Sequence, residues 1–138
     1  MSNLYSQFTY DDALNLKDAG LVAASAAEST ILDLGSGFVE GNIVIDVTAL
    51  EVASTDEIYT IYLEGSNVAA MTSGSVALAQ IEMGNASAPA DADTATGRFT
   101  VPFRNEQNGS LYRYVRIYTK VAGTVATGIN YSAFIAKS

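Results

Sequence analysis

Apolar and polar residues alternate with a period of two along much of the chain, which is the signature of half-buried β-strands. The longest such stretch is Leu111 to Lys137, LYRYVRIYTKVAGTVATGINYSAFIAK. It predicts a hairpin of two long strands joined by the small-residue loop Ala122 to Gly128. In the first strand Leu111, Val115, Ile117 and Val121 share a face, with Arg113 and Thr119 between them. Tyr112, Tyr114, Arg116, Tyr118 and Lys120 share the other. In the second strand Ile129, Tyr131, Ala133 and Ile135 share a face. The aliphatic face is the core candidate, and the tyrosine row then meets solvent or a partner. Tyrosine and arginine are enriched at protein interfaces. Tyrosines also favour strands and pair across them, so the row alone is open to either reading.

The same alternation predicts further strands upstream. Ser29 to Leu34 is a short one, fed by an extended stretch at 21–27 and ended by Gly35-Ser36-Gly37. Asn42 to Leu50 turns Ile43, Ile45, Val47 and Ala49 inward. Ile58 to Gly65 turns Tyr59, Ile61 and Leu63 inward and Thr60, Tyr62 and Glu64 outward. Ser75 to Met83 is weaker because it is rich in alanine. Arg98 to Arg104 turns Phe99, Val101 and Phe103 inward, and Pro102, lacking an N–H, marks an edge strand or a bulge. Asn108-Gly109 is a hairpin turn signal leading to the tyrosine strand. Seven to eight strands spaced by turn residues predict an all-β fold, an antiparallel β-sandwich or jelly roll. Residues 1–20 do not read as sheet core. They predict an N-terminal arm carrying Tyr5, Phe8 and Tyr10, with one or two helical turns after Asp11-Asp12, before a single domain at 21–138. Exposed aromatics normally find cover, so the arm is expected to dock on its own domain or on a neighbouring subunit.

Composition narrows the chemistry. The chain has 138 residues, 49% hydrophobic and 16% charged, enough apolar material for one core. It contains no cysteine, histidine or tryptophan. Disulfides, thiolate or histidine metal sites and His-based nucleophile systems are thereby excluded, which disfavours an enzyme. No cofactor is expected. Asp91, Asp93 and Thr94 form a DxDT string, but the further ligands of a calcium loop do not follow in register. The adjacent acids Asp56-Glu57 and Asp11-Asp12 do not converge as a glycosidase pair would. There is neither an apolar run long enough for a membrane span nor a secretory signal pattern.

Net charge is −8, and nucleic acid would be repelled. The distribution is uneven. Residues 1–97 carry fourteen acids and one base, whereas residues 98–138 carry one acid and six bases. Such a split allows acid-to-base contacts between copies, or pairing within the fold.

Several phrases together carry a resemblance. They are the acidic N-terminal arm, STILDLG at 29–35, IYLEGSN at 61–67 and YRYVRIYTKVAGTVATGINYSAFIAK at 112–137. With these the chain resembles the capsid cement or decoration proteins of tailed bacteriophages, small virion proteins with a jelly-roll-like β-sandwich. The resemblance implies a non-enzymatic protein made in the bacterial host cytoplasm. It implies binding to the outer surface of an assembled shell, to the major capsid protein, as a dimer or trimer. The family carries no motif residues to transfer. The interface candidates Tyr5, Phe8, Tyr10, Tyr112, Tyr114, Arg116 and Tyr118 therefore rest on this chain's own pattern. The competing readings are another phage structural protein (tail, neck or fibre base) and a carbohydrate-binding β-sandwich stacking sugars on Tyr112, Tyr114 and Tyr118.

Overall fold

The alternation becomes strands throughout residues 12–84 and 94–137, which the computed structural model describes. In chain order they are β1 (Asn15–Val22), β2 (Ala26–Ala27), β3 (Leu32–Asp33), β4 (Glu40–Leu50), β5 (Ile58–Ser66) and β6 (Val76–Gly84). There follow β7 (Gly97–Arg104), β8 (Glu106–Gln107), β9 (Ser110–Leu111), β10 (Tyr114–Ala122) and β11 (Ile129–Lys137). Every pairing is antiparallel. The first sheet has the order β1-β11-β4-β7. The second has the order β2-β10-β5-β6, with β3 also lying along β10. β8 and β9 make a separate ribbon around Asn108-Gly109, both at positive φ, as the turn signal predicted.

One core joins the two sheets. Ile43, Ile45, Val47, Phe103, Ile129, Tyr131, Ala133 and Ile135 from the first meet Tyr59, Ile61, Leu63, Met83, Val115 and Ile117 from the second. Each large aliphatic side chain so buried contributes about 1.5–3 kcal/mol. The inward faces expected for 58–65 and 129–135 are the ones observed. Among the described residues β7 pairs only with β4, so there Pro102 sits on an edge strand.

Four expectations are corrected. The last two strands do not form a hairpin: β10 belongs to the second sheet and β11 to the first. Residues 123–128 carry the chain across the gap between sheets, which is about 10 Å. Alternation specifies a strand's faces, not its partner. Secondly, the tyrosine strand begins at Tyr114. Leu111 lies in the β8–β9 ribbon and is 38% exposed, outside the core. Thirdly, Ala49 is exposed, because the register between β4 and β11 slips at Asn130/Tyr131 and Thr48 is the extra residue. The bulge reverses the faces beyond it and turns Leu50 against the core instead. Fourthly, sheet structure begins inside the stretch expected as an arm. Residues 15–22 are β1, Leu16 is buried in the core, and the helical turns shrink to a 3-10 turn at Asp12–Leu14.

Lys17 explains how β1 can carry a charge there. β1 is irregular against β11 on both sides of this residue. The buried ammonium donates to the carbonyls of Asp18, Gly20 and Tyr131 at 3.0, 3.0 and 2.8 Å, which lets its three protons find acceptors. It also lies 4.5 Å from the centre of the Tyr131 ring. Burial pushes its pKa down, against the pull of Glu28 and Asp18.

The ends of the sheets are closed by side chains. At one end, 51–57 (between β4 and β5) lies against 123–128 (between β10 and β11). Glu51 accepts the N–H groups of Ala126, Thr127 and Gly128 at 2.9, 2.7 and 2.9 Å. Asp56 accepts the Thr124 N–H and hydroxyl at 3.0 and 2.9 Å. At the other end the buried Asn105 donates to the carbonyls of Gly37 and Tyr112 and accepts the N–H of Val39.

Candidate interaction surface

The outward face of the second sheet is built on its two central strands. β10 and β5 pair without interruption from Tyr114↔Ser66 to Ala122↔Ile58. Val115, Ile117 and Thr119 turn inward and are buried, so Tyr114, Arg116, Tyr118 and Lys120 must turn outward. The register then sets Arg116 opposite Glu64, and Tyr118 opposite Tyr62. The alternation along β5 turns Tyr62 and Glu64 outward without joining them to the row. Their alternation was visible, but the pairing that unites them exists only in the folded register.

The face is held in place by its own contacts. Arg116 Nε donates to Glu64 Oε1 at 2.8 Å, with the two side chains 22% and 21% exposed. The Tyr62 and Tyr118 ring centres are 6.3 Å apart and inclined at 51°, a tilted pair within the favourable range. The Arg113 guanidinium lies 5.4 Å from the Tyr114 ring centre. Arg113 is itself fixed by two bonds to Asp33, at 2.7 and 2.8 Å. That bond, followed by the Gly35 N–H, lowers the Asp33 pKa to about 2. The tyrosines are therefore neither buried nor loose.

Tyr114, Arg116 and Tyr118 come together as expected. Tyr112 does not. It lies in the connection before β10, bonded to Asn105 in both directions. A side chain at Gly65, on the core-facing side of β5, would come within 3.1 Å of the Tyr112 Cβ. Tyr112 therefore packs toward the inner side, because residues 112 and 113 leave the strand geometry and break the alternation. Tyr5, Phe8 and Tyr10 lie outside the described residues, as do Asp91 and Asp93.

Four of the six bases in residues 98–138 form ion pairs within the chain. Arg98 pairs with Asp46, Arg113 with Asp33, Arg116 with Glu64 and Arg104 with Glu106. Three of these pairs join the basic C-terminal part to acids of the N-terminal part. Among the described residues no group of three or more His, Cys, Asp or Glu side chains could hold a metal ion. No helix there is long and apolar enough to cross a membrane. Compared with known proteins, the chain matches no family model and no curated sequence.

Proposed function

We propose that this protein is a structural component of a tailed-phage virion, a jelly-roll-like β-sandwich that binds the outside of an assembled capsid and cements it. The strand order supports the jelly roll. With β2 and β3 taken as halves of one strand, β1–β11, β2/β3–β10, β4–β7 and β5–β6 are the rungs of one long hairpin. The contacts β11–β4 and β10–β5 arise when that hairpin is wrapped.

The observation that carries the binding role is the outward face of β5 and β10. Tyr62, Tyr114 and Tyr118 present large amphipathic rings already held in position around the Arg116–Glu64 pair. Side chains fixed before binding lose little entropy on contact. The 51° between Tyr62 and Tyr118 supports a protein partner over a sugar, which stacks best on a flat platform. The partner is the major capsid protein, met by dimers or trimers of this chain. Binding only the assembled lattice shifts the assembly equilibrium toward it, and many copies add their effects.

The test is to add purified protein to matching capsids that lack it. Binding should raise the capsid melting temperature. Tyr114→Ser with Tyr118→Ser should weaken binding at least tenfold while leaving the protein's own melting cooperative. If wild-type protein neither binds nor stabilises such capsids, the reading is wrong.

A further inference from the structure

The β8–β9 ribbon carries a reactive dipeptide that neither the core nor the tyrosine face uses. Asn108-Gly109 is the only Asn-Gly in the sequence. The Gly109 nitrogen can attack the side-chain carbonyl carbon of Asn108, and glycine puts no side chain in the way. The nitrogen loses its proton, the new N–C bond closes a succinimide ring, and the side-chain nitrogen leaves as ammonia. Water then opens the ring. Attack at one ring carbonyl gives aspartate, and attack at the other gives isoaspartate. Apart from the chain itself, the reaction consumes only water.

The ribbon treats the two halves of this pair differently. Both residues are exposed. Asn108 has φ 57° and Gly109 φ 84°, the two left-handed residues of a tight turn closed by Gln107 and Ser110. Among the described residues the Asn108 side chain has no hydrogen-bond partner, so nothing ties the electrophile down. The nucleophile is tied. The Gly109 N–H donates to Glu106 Oε2 at 2.8 Å. The other oxygen, Glu106 Oε1, lies 3.3 Å from Arg104 Nε, which steadies the carboxylate.

We propose that Asn108 is a site of self-modification by deamidation, and that Glu106 slows it by holding the Gly109 N–H. A carboxylate beside this nitrogen has two opposed effects. As a base it can draw off the proton. As an acceptor it keeps the nitrogen in a charge-assisted bond that must break before attack. As an anion it also repels the negative charge that a departing proton leaves on the nitrogen. A peptide N–H is so weak an acid that a carboxylate holds its proton for a negligible share of the time. Bond and charge therefore outweigh basicity, and Glu106 acts as a brake. Modification would reach the amide end. Isoaspartate routes the main chain through the side-chain carbon, which lengthens a turn whose geometry fixes the ribbon register. Leu111 ends the ribbon, and the next residue, Tyr112, donates its N–H to the Asn105 carbonyl at 2.7 Å.

The test keeps the full wild-type chain and its Glu106→Ala variant at neutral pH for weeks and follows Asn108 by peptide mass spectrometry. The folded variant should deamidate on the order of tenfold faster, the factor for a bond to a charged acceptor that no longer has to break. In denaturant the two chains should react at one rate, because the brake exists only in the folded ribbon. A folded variant that is slower, or faster by less than about twofold, overturns the proposal. So does a difference that persists in denaturant. Hydrogen exchange on the wild-type chain is the second readout and needs no substitution. The Gly109 N–H should exchange more slowly than an unprotected amide, and free exchange overturns the proposal even if the variant does not fold. Neither readout depends on capsid binding.

Discussion

The two ends of the molecule do the same work with different chemistry. Where strands stop, backbone N–H and C=O groups lose their ladder partners and need others. At the end where 51–57 meets 123–128, carboxylates supply them: Glu51 takes three consecutive N–H groups and Asp56 a fourth. The buried Glu57 accepts two more, from Ser54 and Asp56. At the other end a neutral amide does it. Asn105 uses its side chain on Gly37, Val39 and Tyr112, and its backbone on Val39 and Tyr112 again. An amide can donate and accept at once, so one residue ties three segments. A carboxylate only accepts, so it gathers N–H groups from one loop, and its hold depends on its charge.

The sharpest test is at the amide. Asn105→Ala leaves three part-buried backbone groups without this partner and should cost about 3 kcal/mol, read by denaturant unfolding. A loss under about 1 kcal/mol would mean that the segments hold one another without it.

Next is the backbone of the carboxylate end. Gly128 has φ +86°, and an added Cβ would lie 2.0 Å from the Val22 carbonyl oxygen. Gly128→Ala should therefore cost about 3 kcal/mol, from strain and from displacing β1. Gly109, in the ribbon near the amide end, has φ +84° but nothing within 4 Å. Gly109→Ala should cost only about 1 kcal/mol. Equal losses at the two sites would remove the role assigned to crowding at the crossover.

The smallest effect, and the most specific, is acid sensitivity. The N–H groups of Gly128 and Thr127 hold the Glu51 pKa below its ordinary 4.5, and Thr124 holds that of Asp56 below 3.8. A carboxylate whose pKa is lower in the folded state stabilises the fold above its unfolded pKa. That contribution fades as pH falls through the folded value. Between about pH 5 and pH 2, amide exchange at 124–128 should speed up before exchange at Val39 and Tyr112. Glu51→Gln with Asp56→Asn should flatten that dependence. Asp33, held to about 2 by Arg113 and the Gly35 N–H, sits on the exposed rim of the amide end. Simultaneous loss of protection at both ends would erase the distinction.

The inward faces were legible because alternation over Tyr59, Ile61 and Leu63, or Ile129 to Ile135, survives any choice of partner strand. Partnership was not legible. Nothing in the sequence places Ile117 and Ile135 in opposite sheets, or aligns Arg116 with Glu64. Local departures from the period were equally hidden: the Thr48 bulge that exposes Ala49, and the break at 112–113 that takes Tyr112 out of its row. Lys17 read as the lone base of an acidic segment. Its burial depends on the irregular register of β1, which leaves carbonyls pointing at one spot. The tyrosine row was visible as a pattern, while the contacts that steady its rings come from Asp33, Tyr62 and Glu64, all distant in sequence.

The position of β11 bears on how the chain finds its fold. This last strand is not an edge: it lies between β1 and β4, pairing Asn15 with Phe134 across most of the chain's length. During synthesis β1 and β4 emerge early and have no direct partner in each other. The first sheet cannot close until residues 129–137 have left the ribosome. Long-range pairings of this kind close large loops before any contact rewards them, which places folding in the slow range of milliseconds to seconds. Until then the valine and isoleucine row of β4 lacks its β11 partner, and exposed apolar strands of this kind are prone to associate.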